Sequence, residues 1–280
     1  MSENNTLESY ICNSCNTVFS NTSSNGVCIN CGSNNLESTD TVDYSSYEII
    51  PFDKTIEDAK NNYKSLIRFN LLLPFVFRKK KNLSRFKKIY VPCYIYDASI
   101  KGKISFIGAD KIMKNQKYEI LHDINIDYKN ILVSAFDKIN DDLLSSINDY
   151  NFELIKSFDD NYILNSNIIS SNKEELDVRE IVSNKINNMA LNAVKNNVKH
   201  DLKKLDYDDT SIDFSSIKKV LVPIYTLIIS YKDGSYLFLM NGSTGKSNLD
   251  TTKSYLSMFI LFILLFILFL IITIICSILL

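Results

Sequence analysis

The sequence has few of the residues from which enzyme active sites are usually built. It contains two His in 280 residues, His122 and His200, and they are far apart in the chain. Neither belongs to a Ser/His/Asp or His-x-x-x-His pattern that would supply a nucleophile, a general base or an open metal site. The sequence therefore predicts a protein that is not an enzyme, with no catalytic residue and no site for an organic cofactor.

Lys and Arg are missing from the first 53 residues, although the net charge of the whole chain is only −1. The first Lys or Arg is Lys54, and the acidic residues before it are Glu3, Glu8, Glu37, Asp40, Asp43, Glu48 and Asp53. Nucleic acids are bound largely through Lys and Arg that neutralise phosphates. Nucleic acid is therefore an unfavourable partner for this acidic segment.

A secretory signal is also missing, because residues 1–9 are polar and acidic where a signal would need positive charge and an apolar run. The segment is expected to stay in the cytosol. In a reducing compartment, paired Cys residues hold metal or do redox chemistry rather than form structural disulfides.

Four of the six Cys residues lie in this segment with the spacing Cys-x2-Cys-x12-Cys-x2-Cys. Four thiolates in a tetrahedron suit zinc, and they leave the metal no open position for catalysis. Gly32 follows the second pair, where a knuckle turn needs positive φ, and Asn13 and Asn16 tolerate similar turns. We predict a zinc ribbon over residues 1–35 with one structural Zn²⁺. Its ligands are Cys12, Cys15, Cys28 and Cys31.

A redox-active pair is the alternative for these cysteines. It would need only one Cys-x-x-Cys and a surrounding fold larger than this short segment can supply. The remaining two, Cys93 and Cys276, stand apart from the ribbon and are expected to be small packed residues rather than ligands.

The C-terminal stretch from Leu256 to Leu280 contains no charged side chain. As a helix it would reach roughly 37 Å, more than the hydrocarbon thickness of a bilayer. A buried core helix is the alternative, but it would show a polar stripe. We predict a transmembrane helix over 255–280. Lys246 and Lys253 precede it, which favours a tail-anchored, single-pass protein of the cell membrane with its N-terminal domains in the cytoplasm.

The middle of the chain divides into a polar linker, 36–50, and a body, 51–250. Within the body, helical spacing of apolar residues begins after Asp53 as N-cap and ends before Pro74. Alternation from Tyr118 to Tyr128 predicts a strand that includes His122. A second helix is predicted from Lys173 to Leu205.

Two stretches of the body resemble each other: KKIYVPCYIYDASIKGKISF from Lys87 and KKVLVPIYTLIISYKDGSYLF from Lys218. We interpret them as a degenerate repeat in which each copy forms a hairpin with a turn at Gly102 or Gly234. Pro92 and Pro223 cannot donate to a ladder, so each is expected at a strand start or edge. The predicted fold class is α+β: an N-terminal zinc ribbon, an α+β body with two helix-then-β-hairpin units, and a C-terminal transmembrane helix.

Positive charge is concentrated just after the first helix, directly behind an apolar run. The basic residues are Arg78, Lys79, Lys80, Lys81, Arg85, Lys87 and Lys88. Such a segment can contact anionic lipid, each basic residue contributing on the order of 1 kcal/mol. It can equally be a loop whose charges are only solvated, and nucleic acid is a third possibility.

With these residues placed, the chain resembles a bacterial family of membrane proteins with a TFIIB-type zinc ribbon, often misnamed as replication-helicase-like. The resemblance rests on the ribbon, on IIPFDKTIEDA, IYVPCYIYDA and FELIKSFDDNYIL, and on MNGSTGK, residues 240–246. It implies an accessory role in membrane-stress or membrane-scaffold systems and no catalytic activity. MNGSTGK lacks the Gly-x4-Gly-Lys-Ser/Thr spacing of a phosphate loop and is expected to be the exit of a hairpin.

The function predicted from the sequence is that of a non-enzymatic, tail-anchored adaptor or scaffold protein. Its structural zinc ribbon would contact a protein partner at the cytosolic membrane face. Tyr10, Val18, Phe19, Val27 and Ile29 are available as contact residues. The alternative is a membrane-tethered zinc-ribbon protein that binds nucleic acid in transcription.

Overall fold

A computed structural model describes residues 6–21, 26–109, 117–139, 141–163, 166–197, 201–232 and 234–279 of the chain. His200, at the end of the second predicted helix, lies outside these ranges. The strands are β1 (Thr6–Cys12), β2 (Val18–Asn21), β3 (Leu36–Asp43), β4 (Glu48–Ile49), β5 (Lys87–Ala109), β6 (Lys117–Ser134), β7 (Lys156–Ser157), β8 (Asn167–Ile169), β9 (Asp201–Tyr231), β10 (Gly234–Asn241) and β11 (Ser247–Leu249). The α-helices are α1 (Ile56–Arg68), α2 (Asp141–Ser146), α3 (Glu175–Asn197) and α4 (Tyr255–Leu279).

These strands form one mixed sheet over the described residues. Its main path runs β11-β10-β9-β5-β8-β2-β1-β3, while β6 pairs with β5, and β4 pairs with both β7 and β9. The predicted fold class, an α+β body of helix-then-hairpin units flanked by a ribbon and closed by a transmembrane helix, is therefore wrong. The cysteine segment, described over residues 6–21 and 26–43, joins the body directly, because β2 pairs with β8 at Ser20 and Ile168. That pairing satisfies backbone groups that a free ribbon would leave to water.

The segment predicted as a linker, 36–50, contains β3 and β4. β3 pairs with β1, and most of its side chains are exposed. An edge strand with one solvated side is as polar as a linker, so composition could not distinguish the two. The ribbon is consequently not held on a tether.

The two similar stretches lie side by side at the centre of the sheet. They pair antiparallel in β5 and β9 with Val91 opposite Val222, two residues that the repeat also aligns. The short strands beside them follow the same relation: β8 runs parallel to β5 at Tyr90, and β4 runs parallel to β9 at Leu221. The centre of the sheet therefore has an approximate two-fold arrangement about Val91 and Val222.

The expectation that both prolines lie at a strand start or edge is wrong. Pro92 is inside β5, where its carbonyl oxygen accepts from the N–H of Ala135 at 2.9 Å. Pro223 is inside β9, where its carbonyl accepts from the N–H of Gly242 at 2.8 Å. In an antiparallel strand the N–H and C=O of one residue point to the same side. Each proline therefore lacks its N–H on the side of its strand that faces away from the β5–β9 pair. On that side the neighbour of β5 changes from β8 to β6, and the neighbour of β9 changes from β4 to β10.

Two boundaries predicted within the body are also wrong. β5 does not turn at Gly102 but continues to Ala109, so the first copy of the repeat is one long strand. The helix predicted to end at Leu205 ends at Asn197, and β9 begins at Asp201. Pairing with the far end of β5 overrides the helical spacing there. The hairpin of the second copy is present, with Tyr231 opposite Gly234.

The predicted first helix is α1, and its N-cap is Thr55 rather than Asp53. A capping box forms, because Thr55 Oγ1 accepts from Asp58 N while Asp58 Oδ2 accepts from Thr55 N. Tyr63 of α1 packs against Leu227 and Phe238 on one face of the sheet. On the opposite face the core includes Cys12, Cys28, Ile89, Ile224 and Leu239. The cysteine segment thus covers the face of β9 and β10 that α1 leaves open.

Helix α4 lies where the transmembrane helix was predicted. Its described side chains are mostly apolar and exposed. Over the described part of the chain, no helix is both long enough and apolar enough to span a bilayer. The predictions of a transmembrane helix, a tail anchor and a single-pass protein of the cell membrane are therefore wrong.

Candidate metal centre

The predicted ligands Cys12, Cys15, Cys28 and Cys31 come together at one point of the cysteine segment. Their Sγ atoms all lie within 4.8 Å of one another, so the group could hold a metal ion. Cys12 Sγ and Cys31 Sγ are 3.6 Å apart, as are Cys15 Sγ and Cys28 Sγ. A tetrahedral zinc–thiolate site with Zn–S of about 2.3 Å would place its sulfurs about 3.8 Å apart. The spacing therefore fits a four-coordinate ion.

Each pair of cysteines is set on a tight turn that ends in a residue with positive φ. Asn16 has φ 54° and donates its N–H to Cys12 O at 2.7 Å. Gly32 has φ 80° and donates its N–H to Cys28 O at 3.1 Å. The expectation for Gly32 is confirmed, and of the two Asn residues it is Asn16 that takes this conformation. We call these turns knuckle 1 (12–16) and knuckle 2 (28–32).

Polar groups of the segment are directed at the sulfurs. Asn30 donates its backbone N–H to Cys28 Sγ at 3.3 Å and its side-chain amide to Cys15 Sγ at 3.7 Å. The same amide contacts Thr17 Oγ1 at 3.1 Å. N–H donors of this kind stabilise negative charge on the thiolates that a metal would require.

The thiol pKa values of Cys15, Cys28 and Cys31 are shifted in different directions. Burial raises the pKa of Cys28, and it raises that of Cys31 to about 12. Burial acts in the same direction on Cys15, but hydrogen bonds with the side chain and backbone of Thr17 outweigh it and lower the pKa to about 6. Only thiolates bind metal well, so an incoming ion would displace protons from Cys28 and Cys31.

Two lysines of the body hold the knuckles from outside. Lys87, at the start of β5, donates Nζ to Cys28 O at 2.6 Å in knuckle 2. Lys138, after β6, donates Nζ to Cys15 O in knuckle 1 and to Thr17 Oγ1 at 2.9 Å. Two cations therefore lie beside a group that would carry a formal charge of −2 with a divalent metal. No pattern in the sequence pointed to Lys138, and Lys87 was only one of seven cations in a basic run.

The residues predicted as partner contacts are mainly used inside the protein. Phe19 and Ile29 are buried in the core with Cys12 and Cys28, and Tyr10 packs against that core. Val18 is half-buried, and Val27 is exposed. Most of these side chains are thus unavailable to a partner.

The basic segment 78–88 divides into internal and exposed side chains. Arg78 donates to the carbonyls of Ile67 in the last turn of α1 and of Asn70 just after it. The Lys88 ammonium lies 4.6 Å from the centre of the Phe52 ring. Together with Lys87 these residues have structural contacts. Exposed positions are occupied by Lys79, Lys80, Lys81 and Arg85. Contact of this group with anionic lipid stays a prediction.

The other singled-out residues have ordinary surroundings. Cys93 is packed in the core, as expected, and burial raises the pKa of its thiol. Cys276 is exposed on α4, so the expectation that it is packed is wrong. His122 lies in a strand, β6, as predicted, and its side chain is half-buried. Residues 241–246 form the turn from β10 to β11, closed by the N–H of Asn241 on Lys246 O at 2.8 Å. The interpretation of MNGSTGK as a hairpin exit is confirmed.

Comparison with known proteins adds one distant relative. The chain is 22% identical over 210 residues to "Uncharacterized protein YdjG" of Bacillus subtilis (strain 168), which covers 71% of this chain and 61% of that protein. The chain therefore spans about three fifths of the relative's length. No protein-family model and no solved structure matches this chain. The resemblance to TFIIB-type ribbon proteins stays a prediction.

Proposed function

We propose that the protein is a non-enzymatic adaptor in which the four clustered cysteines hold one structural Zn²⁺. The observation that carries this proposal is the closure of all four Sγ atoms within 4.8 Å on two knuckles. Zinc accepts four thiolates in a tetrahedron, and such a site has no open position for substrate or water. The metal would serve to fix the cysteine segment on the sheet, where Lys87 and Lys138 already hold both knuckles.

The partner would bind at the outer edge of β3. This strand ends the main path of the sheet and carries exposed Glu37 and Asp40. An edge strand presents backbone N–H and C=O groups that a partner strand can pair with. Acidic side chains oppose pairing with a second acidic edge and favour a basic partner. We therefore propose protein recognition by strand addition, with a partner segment rich in Lys and Arg.

The test combines metal content with partner capture. Elemental analysis of the full chain purified in reducing buffer is expected to give one Zn per chain, and Cys28→Ser is expected to lose it. Cys276→Ser, which changes an exposed thiol of α4, should keep the zinc. Crosslinked partners recovered with the intact protein should be lost with Glu37→Lys/Asp40→Lys.

Three results would contradict the proposal. A full chain without zinc, or zinc retained by Cys28→Ser, would contradict a structural zinc site at the four cysteines. Capture of the same partners by Glu37→Lys/Asp40→Lys would show that β3 is not the contact surface. Tight DNA or RNA binding that is abolished by Cys12→Ser would favour the nucleic-acid alternative instead.

A further inference from the structure

A cleft separates knuckle 2 from the sheet. It has a volume of about 680 Å³ and lies between Ile29, Asn30 and Cys31 on one side and Thr226 and Ile228 of β9 on the other. Pockets for small molecules typically have volumes of about 300–1,000 Å³. The cleft is therefore large enough for a ligand, and the candidate metal centre forms part of its wall.

The outer end of this cleft is basic and polar. Arg85 and Lys87 line it together with the hydroxyl groups of Ser230 and Ser235. Arg85 is exposed, and the described residues that line the cleft include no carboxylate. Two cations and two hydroxyl groups around one opening suit an anionic head group, since hydrogen bonds between charged partners are the strongest of their kind.

The inner end is mostly apolar, although Lys138 and Asn30 also line it. An adjoining cavity of about 180 Å³ shares Ile29 and Ile228 with the cleft and extends toward Ile89, Ile139 and Leu237. Residues of β9 and β10 that are paired across the sheet present their side chains on the same face, which explains why Ile228 and Leu237 line one wall. Arg85 and Lys87 thus line the outer space, whereas the inner space is mostly apolar apart from Lys138.

We propose that the cleft binds an anion that carries an aliphatic chain, either a carboxylate or a phosphate ester. Its head group would lie at Arg85 and Lys87, and its chain would pass Ile228 into the inner cavity. Removing the apolar chain from water is favourable, so the chain supplies affinity while the cations select the charge. The proposal depends neither on the identity of the metal nor on a partner at β3.

The test uses the full chain and calorimetric titration with decanoate, decyl phosphate and decanol. Decanoate or decyl phosphate is expected to bind saturably at one site, about tenfold more tightly than decanol, because a tenfold difference corresponds to one charged hydrogen bond. The tighter of the two anions identifies the head group. Arg85→Gln is expected to reduce anion binding to the level of decanol and to leave decanol binding unchanged.

Matched variants separate the cleft from the rest of the surface. Lys80→Gln removes an exposed cation of the same segment outside the cleft and should leave all affinities unchanged. Ile228→Glu should abolish binding, and Ser235→Trp, at an exposed strand position, should do the same without altering the core. Thermal unfolding checks that each variant is folded.

Equal affinity for decanoate and decanol would overturn the proposal, as would full binding by Arg85→Gln. Binding that survives both Ile228→Glu and Ser235→Trp would place the ligand elsewhere, for example on the exposed apolar side chains of α4. All of these comparisons use the four cysteines unchanged, so a protein that proves to contain no zinc, or to capture no partner at β3, can still show the difference between anion and alcohol. The two proposals therefore fail separately.

Discussion

At the residue scale, hydrogen bonds from two lysine side chains of the body connect it to the cysteine segment. Lys87 and Lys138 each donate to a backbone carbonyl in a different knuckle. A buried carbonyl that loses its donor retains the cost of its desolvation. These two side chains are therefore expected to matter more than their neighbours in the sequence.

We expect Lys87→Met to lower the free energy of unfolding by about 2 kcal/mol, because hydrogen bonds to charged groups contribute about 1.5–3 kcal/mol. Met retains the apolar part of the side chain, so the change isolates the ammonium group. Urea denaturation followed by circular dichroism measures the difference. The exposed Lys80→Met is the control and should stay within about 0.5 kcal/mol of the unchanged protein. Equal stability of the two variants would contradict the structural role of Lys87.

The four candidate ligands could be predicted from the local sequence alone. Two Cys-x-x-Cys pairs, each followed by Asn or Gly, specify two turns whose geometry is set within five residues. The supporting lysines needed the fold, because Lys138 is 123 positions from Cys15. No spacing rule connects residues that meet only through sheet pairing.

Two very long strands dominate at the element scale, and a glycine permits their close approach. Gly102 lies opposite Thr210 in the β5–β9 pair with φ 144°. A Cβ at Gly102 would meet Asp209 O at 2.1 Å and Thr210 Cα at 2.7 Å. Backbone atoms of a paired strand cannot move aside as a flexible side chain could. The sequence predicted a turn at Gly102. In the structure, the absence of a side chain at this position allows β5 and β9 to lie in close contact.

We expect Gly102→Ala to destabilise the protein by about 2 kcal/mol or more, because both the positive φ and the contact with Asp209 O oppose a side chain. Lys103→Ala is the matched control, since Lys103 is the exposed neighbour in the same strand. Thermal and urea unfolding of the two variants give the comparison. A Gly102→Ala protein as stable as Lys103→Ala would mean that the strands separate there without cost.

At the scale of the whole molecule, the cysteine segment and the body share one sheet and one core. β2 pairs with β8, and Cys12 and Cys28 belong to the same buried cluster as Val91 and Val222. A ribbon on a tether would unfold alone. Shared hydrogen bonds and shared packing instead predict that disruption at the cysteines spreads into the body.

We expect Cys28→Ser to increase amide hydrogen exchange in β8 as well as in β1, β2 and β3, because Ser20 and Ile168 are paired across the boundary. Exchange measured by mass spectrometry resolves these segments. β11, at the opposite end of the main path, should keep its protection and is the internal control. An increase confined to residues 6–43 would contradict the shared unit and restore the tethered ribbon.

The sequence by itself determined the features that depend on neighbouring residues: the two knuckles, the presence of α1 and the hairpin of β9 and β10. The tertiary structure decided which strand edges meet. Backbone groups of any strand can pair with those of any other, so composition did not show that β3 is a sheet edge, that Pro92 and Pro223 lie between successive neighbours, or that Gly102 is inside a strand. Long-range pairing is set by the packing of all strands together, and no local pattern contains it.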